Sequence, residues 1–140
     1  MNNPATTIRI GTLANAKDGA AYLRKILPHG FESFEICFGW GFDIRHCDLG
    51  KLAAEVKAVL AGSGAVIGAL GCYGNPLLDT PDAQAVRDTF AALIDRAADF
   101  GTNTVCGFTG ALDGSSVPDA IPRFTEVWKP LVEKAGEKKV

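Results

Sequence analysis

Three cysteines recur at nearly equal intervals, in the phrases Cys37-Phe38-Gly39-Trp40, Cys72-Tyr73-Gly74-Asn75 and Cys106-Gly107-Phe108-Thr109. They lie 35 and 34 residues apart. Each phrase ends an apolar, β-prone run and opens a Gly-rich loop. Adjacent strands are ~4.8 Å apart, so three thiols at one level and on one face of a sheet would approach a metal ion, with a fourth ligand still needed. The competing reading is that they are small apolar core residues, as buried cysteines often are, and that reading is favoured. Cys47, in a loop, reads as the most accessible thiol.

Other chemistry-bearing residues gather around the same strand ends. Glu35 interrupts the apolar run Phe34-Glu35-Ile36. A carboxylate there needs a partner if it points inward, and two readings stand: a polar floor for a pocket, or an outward residue facing a helix. Phe38, Trp40, Phe42, Tyr73 and Phe108 form an aromatic set at strand ends, with Asn75, Thr109, Arg45 and His46 as polar neighbours. Pockets for sugar-sized ligands combine apolar walls with a few placed polar groups. The alternative is that the rings plug the top of a barrel. His46, with Asp43, Arg45 and Asp48 nearby, reads as a solvated polar turn rather than a ligand. His29 follows Pro28 at a helix end, on the side away from the strand-end loops. Gly114-Ser115-Ser116 reads as a turn, not a nucleophile.

The elements that must hold these residues follow a strand–helix period. A unit of roughly 30 or more residues is the size of one parallel βα repeat. Strands are expected at Thr7–Leu13, Ser33–Phe38, Ala65–Cys72 and Thr104–Phe108. Helices are expected at Gly19–Leu27, after the Asp48 cap, after Thr80-Pro81-Asp82, and at Pro118–Ala135. Gly101 ends the third helix and Gly136 the fourth. Pro122 belongs to the first turn of the fourth or breaks a lead-in, and Pro130 kinks it. Glu137-Lys138-Lys139-Val140 reads as an approach to a fifth strand. The expected fold class is α/β: four βα units on a parallel sheet, half of a (β/α)₈ barrel, in one domain over residues 1–140 that stops before strand five. A complete barrel takes about 250 residues. A small doubly wound domain is a third reading, weakened by the missing phosphate loop after strand one.

Composition narrows the function. Hydrophobic residues make up 47% of the 140, and the net charge is −2. With a pI near 5.6 the chain has no nucleic-acid footprint. Met1-Asn2-Asn3-Pro4 has no basic n-region or apolar h-region, so no signal peptide is expected. No apolar run reaches the ~18 residues of a membrane span. Four cysteines without a secretion signal fit reduced thiols and a cytoplasmic location. No G-x-G-x-x-G, P-loop, G-x-S-x-G or Cys-x-x-Cys motif occurs.

The chain resembles the N-terminal half of the xylose isomerase-like TIM barrels, the sugar phosphate isomerase/epimerase superfamily. Four stretches carry the resemblance: Phe34-Glu35-Ile36, Tyr73-Gly74-Asn75-Pro76-Leu77, Phe108-Thr109-Gly110, and Trp128 to Ala135. The resemblance implies a divalent metal (Mn²⁺, Mg²⁺ or Co²⁺) in the full barrel. Its ligands come from strands five to eight, so this chain holds none. What transfers is a substrate-side wall of Phe38, Trp40, Tyr73, Asn75 and Thr109, with Glu35 as a characteristic residue of open role. Endonuclease IV-type relatives place histidines after strands three and four. Leu70-Gly71-Cys72-Tyr73 and Phe108-Thr109-Gly110 have none, which argues against DNA repair. The expected function is the substrate-binding half of a metal-dependent sugar or sugar-phosphate isomerase/epimerase, inactive alone. The expected partners are a sugar or sugar phosphate, and either the remaining half of the barrel or a homodimer partner, with no nucleic acid and no membrane. The alternative is a non-catalytic half-barrel that binds or self-associates.

Overall fold

A computed structural model describes residues 8–39 and 42–140. Four strands, β1 (Gly11–Asn15), β2 (Ser33–Phe38), β3 (Val66–Cys72) and β4 (Val105–Gly107), alternate with four helices. The helices are α1 (Gly19–Ile26), α2 (Leu49–Leu60), α3 (Pro81–Phe100) and α4 (Val117–Lys138). The strands pair in parallel in the order β1-β2-β3-β4. A doubly wound sheet reverses its order around the first strand. This one advances in a single direction, the order of a barrel wall.

Local chemistry starts the helices where the sequence predicts. The Asp48 carboxylate accepts from the Lys51 amide at 2.9 Å. Thr80 Oγ1 accepts from Ala83 at 3.2 Å, with Pro81 in the first helical position. Each side chain satisfies an amide that the helix itself leaves unpaired. Gly101, at φ 78°, closes α3 in the left-handed conformation that glycine adopts without a Cβ clash.

The sheet has one covered face. Phe34, Ile36 and Phe38 of β2 are buried against the helices, while Ser33, Glu35 and Cys37 alternate onto the other side and are only half-buried. Leu70, Phe90, Leu93, Val56 and Leu23 form the centre of the core between sheet and helices. The other face is open among the described residues: Leu13 is 57% and Phe108 54% exposed. β2 and β3 pair with a register shift at Phe34/Glu35, so Phe34 meets Ile67 and Glu35 meets Ala69.

Three element boundaries depart from expectation. β1 lies at Gly11–Asn15 rather than Thr7–Leu13, because its register is set by Ser33 to Cys37 of β2; Thr7 lies outside the described residues. Pro122 sits inside α4, whose cap is Ser116. Gly136 does not end α4: the helix runs to Lys138, and Lys139 at φ 60° closes it. The stretch expected to approach a fifth strand is therefore helix through Lys138, with the Val140 amide returning to the Ala135 carbonyl at 3.0 Å.

Candidate functional site

The open face carries the chemistry. Cys37, Gly71 and Cys106 occupy one level of β2, β3 and β4. Gly71 places no side chain between the two thiols, and the Glu35 carboxylate lies over it. That carboxylate accepts a hydrogen bond from the Tyr73 hydroxyl and lies 3.6 Å from Cys37 Sγ. Strand alternation turns Glu35 to the open face, opposite Phe34 and Ile36, so it does not face a helix.

The electrostatics keep its neighbours neutral. Burial, and then the Glu35 carboxylate, push the Cys37 thiol up to about 12. Cys106 moves the same way for the same two leading reasons. The bond to Glu35 raises the Tyr73 phenol above its ordinary value. A phenol and thiols that keep their protons can donate to a single carboxylate, which suits a fixed polar patch. They are not poised as nucleophiles.

Cys72 separates from the other two thiols. It is 2% exposed on the helix side, near the Val86 carbonyl, with its thiol pushed up to about 12 by burial. At the level of Cys37 and Cys106 the third strand carries Gly71, so Cys72 stands one residue out of phase and turns to the other face. Cys47 is half-buried, like Cys37 and Cys106, and so is not singled out by exposure. Among the described residues, no group of three or more His, Cys, Asp or Glu side chains is placed to hold a metal ion. These residues do not by themselves form the divalent-metal site that the resemblance implies.

Above the carboxylate, Tyr73 and Phe108 meet edge to face with centroids 5.1 Å apart. Phe108 and Asn75 line a cleft of about 450 Å³ between the loops after β3 and β4. Tyr73 and Asn75 also line a neighbouring cleft of about 580 Å³, with Phe42, Asp43 and Arg45. Asn75 ties the two loops together: Nδ2 donates to the Ala111 carbonyl at 2.7 Å, and Oδ1 accepts from Ala111 and Leu77. The Thr109 carbonyl accepts from Trp128 Nε1 at 2.9 Å.

Not every expected wall residue sits here. Phe38 is 1% exposed on the helix side, where its ring packs against Phe42. It is a core residue, and the open face is out of its reach. Trp40 lies outside the described residues. His46 bonds Asp43 at 3.1 Å and is 82% exposed, in a turn where Arg45 holds the Asp43 carboxyl well below the usual carboxylate range. Cys37 and Cys106, read from the sequence as core residues in preference to a shared thiol face, are half-buried on the open face, and Gly71 between them had not been singled out.

A family model described as xylose isomerase-like TIM barrel matches residues 23–140. The chain belongs to this family. Among solved structures it is similar to a xylose isomerase domain protein from Planctomyces limnophilus, at TM-score 0.69 and 12% identity, covering 94% of this chain and 51% of that one. A 3-keto-D-glucoside 4-epimerase from E. coli matches at TM-score 0.66 and 18% identity, covering 94% and 53%. A D-psicose 3-epimerase from Clostridium cellulolyticum H10, solved with D-tagatose, matches at TM-score 0.64 and 17% identity, covering 95% and 50%. The chain thus spans about half the length of these structures. No curated protein sequence matches it. Among the described residues, no helix is long and apolar enough to cross a membrane.

Proposed function

We propose that this chain supplies the substrate-facing wall of a metal-dependent sugar or sugar-phosphate isomerase/epimerase, a cytoplasmic enzyme whose metal ligands lie on strands other than these four. One observation carries the reading. The Tyr73–Phe108 pair stands at the carboxyl ends of β3 and β4, on the open face, with the Glu35 carboxylate bonded beneath it. In a TIM barrel those strand ends are where substrate binds. Sugar rings use apolar faces against aromatic walls and polar groups for orientation. Family membership and the epimerase neighbours support the substrate class.

In this reading Tyr73 and Phe108 contact the apolar face of the sugar, Asn75 and Thr109 shape the loops around it, and Glu35 fixes the Tyr73 ring. The chain alone binds a ketohexose without converting it. The test is calorimetric titration of the 140-residue chain with D-fructose and D-tagatose, alone and with Mn²⁺. Binding weakened at least about tenfold by Phe108→Ala, with no change of sugar, supports the proposal. Turnover by the chain alone, or binding indifferent to Phe108→Ala and Tyr73→Phe, overturns it.

A further inference from the structure

The loops after β3 and β4 are held by helix side chains that do not line the cleft between them. Pro76 and Leu77, in the loop after β3, are buried. Buried loop backbone has no ladder to satisfy it, so its carbonyls need donors from elsewhere. Two guanidinium groups supply them. Arg87 Nη1 of α3 donates to the Pro76 carbonyl at 2.6 Å and to the Leu78 carbonyl at 3.0 Å. Arg123 Nε of α4 donates to the Leu77 carbonyl, which lies between those two in the chain, at 2.9 Å.

The hold passes from one loop to the other through Leu77. Its amide donates to Asn75 Oδ1 at 3.1 Å, and the same Asn75 side chain bonds both the amide and the carbonyl of Ala111. Gly110, at φ 92°, lets the loops meet: a Cβ there would run into Asn75 Oδ1 and Leu77 Cγ. The other donors of the two arginines are directed within the chain as well. Arg87 Nε and Nη2 reach Gln84 Oε1 at 3.1 and 2.8 Å, and Arg123 Nη1 pairs with Glu126 at 2.9 Å. Neither arginine lines the cleft of about 450 Å³. They brace backbone instead of facing a ligand.

We propose that Arg123 is a positioning residue: through Leu77 and Asn75 it sets the loop that continues from Phe108, so the cleft is formed before a ligand arrives. A preformed cleft spares the ligand the cost of ordering two loops. That the ligand is a sugar rests on the function proposed above. The coupling of the loops rests only on bonds within this chain.

The test is amide hydrogen exchange of the 140-residue chain without sugar, followed by titration with D-tagatose. Arg123→Met keeps the apolar stem and removes the donors. It is expected to speed exchange at the Leu77 and Ala111 amides by about tenfold or more. The Ala111 amide is the telling one, since the Arg123 bond goes to the other loop. The Leu70 amide, which donates to the Thr104 carbonyl at 3.0 Å, keeps its protection. Arg123→Lys, which still donates, restores most of the loop protection. Asn75→Ala opens Ala111 with the Arg123 bond in place. D-tagatose affinity falls about tenfold in Arg123→Met and recovers in Arg123→Lys. Unchanged exchange at Ala111 in Arg123→Met overturns the proposal. So does an equal loss of protection at Leu70, which marks general destabilisation, or D-tagatose binding indifferent to Arg123→Met. A chain that binds no D-tagatose in any form sinks the sugar reading alone, and the exchange rates still decide the coupling.

Discussion

The Tyr73 hydroxyl donates to the Glu35 carboxylate across 38 residues of chain, joining β2 to the end of β3 on the open face of the sheet. Removing either partner strands the other in a half-covered site. Glu35→Ala is expected to lower stability by about 1–3 kcal/mol, and Glu35→Gln by less because it still accepts a hydrogen bond. Urea unfolding of Glu35→Gln, Tyr73→Phe and the double variant checks this. The two effects should fail to add, since the pair shares one contact.

Two glycines in the sheet differ in what a methyl group would meet. At Gly71 it meets the Glu35 carboxylate and the Tyr73 ring, both able to move aside. At Gly107 it meets the Cys72 backbone carbonyl and the Phe90 ring, which are held by the ladder and the core. Gly71→Ala is expected to cost about 1–2 kcal/mol and Gly107→Ala about 3 kcal/mol or more. Thermal melts of the two variants should rank in that order.

Phe90 is 2% exposed and stands edge-on to Trp128, with centroids 4.9 Å apart. It joins α3 to α4 beneath β4. Phe90→Ala is expected to cost about 3–5 kcal/mol and to shift the Trp128 emission to longer wavelength. Emission spectra and urea unfolding measure both.

Alkaline pH should destabilise the fold. In the folded chain burial pushes the Cys37 and Cys72 thiols up to about 12, and Cys106, Cys47 and Tyr73 shift upward too. Folded-state values above unfolded ones mean that the native chain holds more protons as pH rises. Their contribution is complete below about pH 8, where the unfolded groups are still protonated, and is lost from about pH 9 upward. Urea midpoints should be flat from pH 7 to 8 and fall from pH 9 to 11. Cys72→Ser should change the slope of the alkaline fall.

Much of the architecture was legible because it is written in local chemistry. Asp48 and Thr80 announce helices whose caps are made by those same side chains. The repeat of about 35 residues announces the parallel order. What was not legible depends on distant pairing. Ile8 and Ile10 look like strand residues, yet β1 begins at Gly11 because β2 sets the ladder. Phe38 and Phe108 both read as pocket walls, and alternation sends one into the core and the other into the open. Gly136 looks like a helix stop, but α4 continues past it until Lys139 adopts the left-handed turn.

The register shift between β2 and β3 decides which of two surfaces β3 shows at its upper end. Counting straight on from Val66 opposite Ser33, the residues turned to the open face would be Gly68, Leu70 and Cys72, a greasy strip with one thiol. One surplus residue at the level of Glu35 reverses the phase and presents Ala69, Gly71 and Tyr73 instead. A ladder that paired this same sequence without the bulge would therefore exchange a phenol for a sulfhydryl opposite the acid, leaving the composition of the strand intact and its polarity inverted.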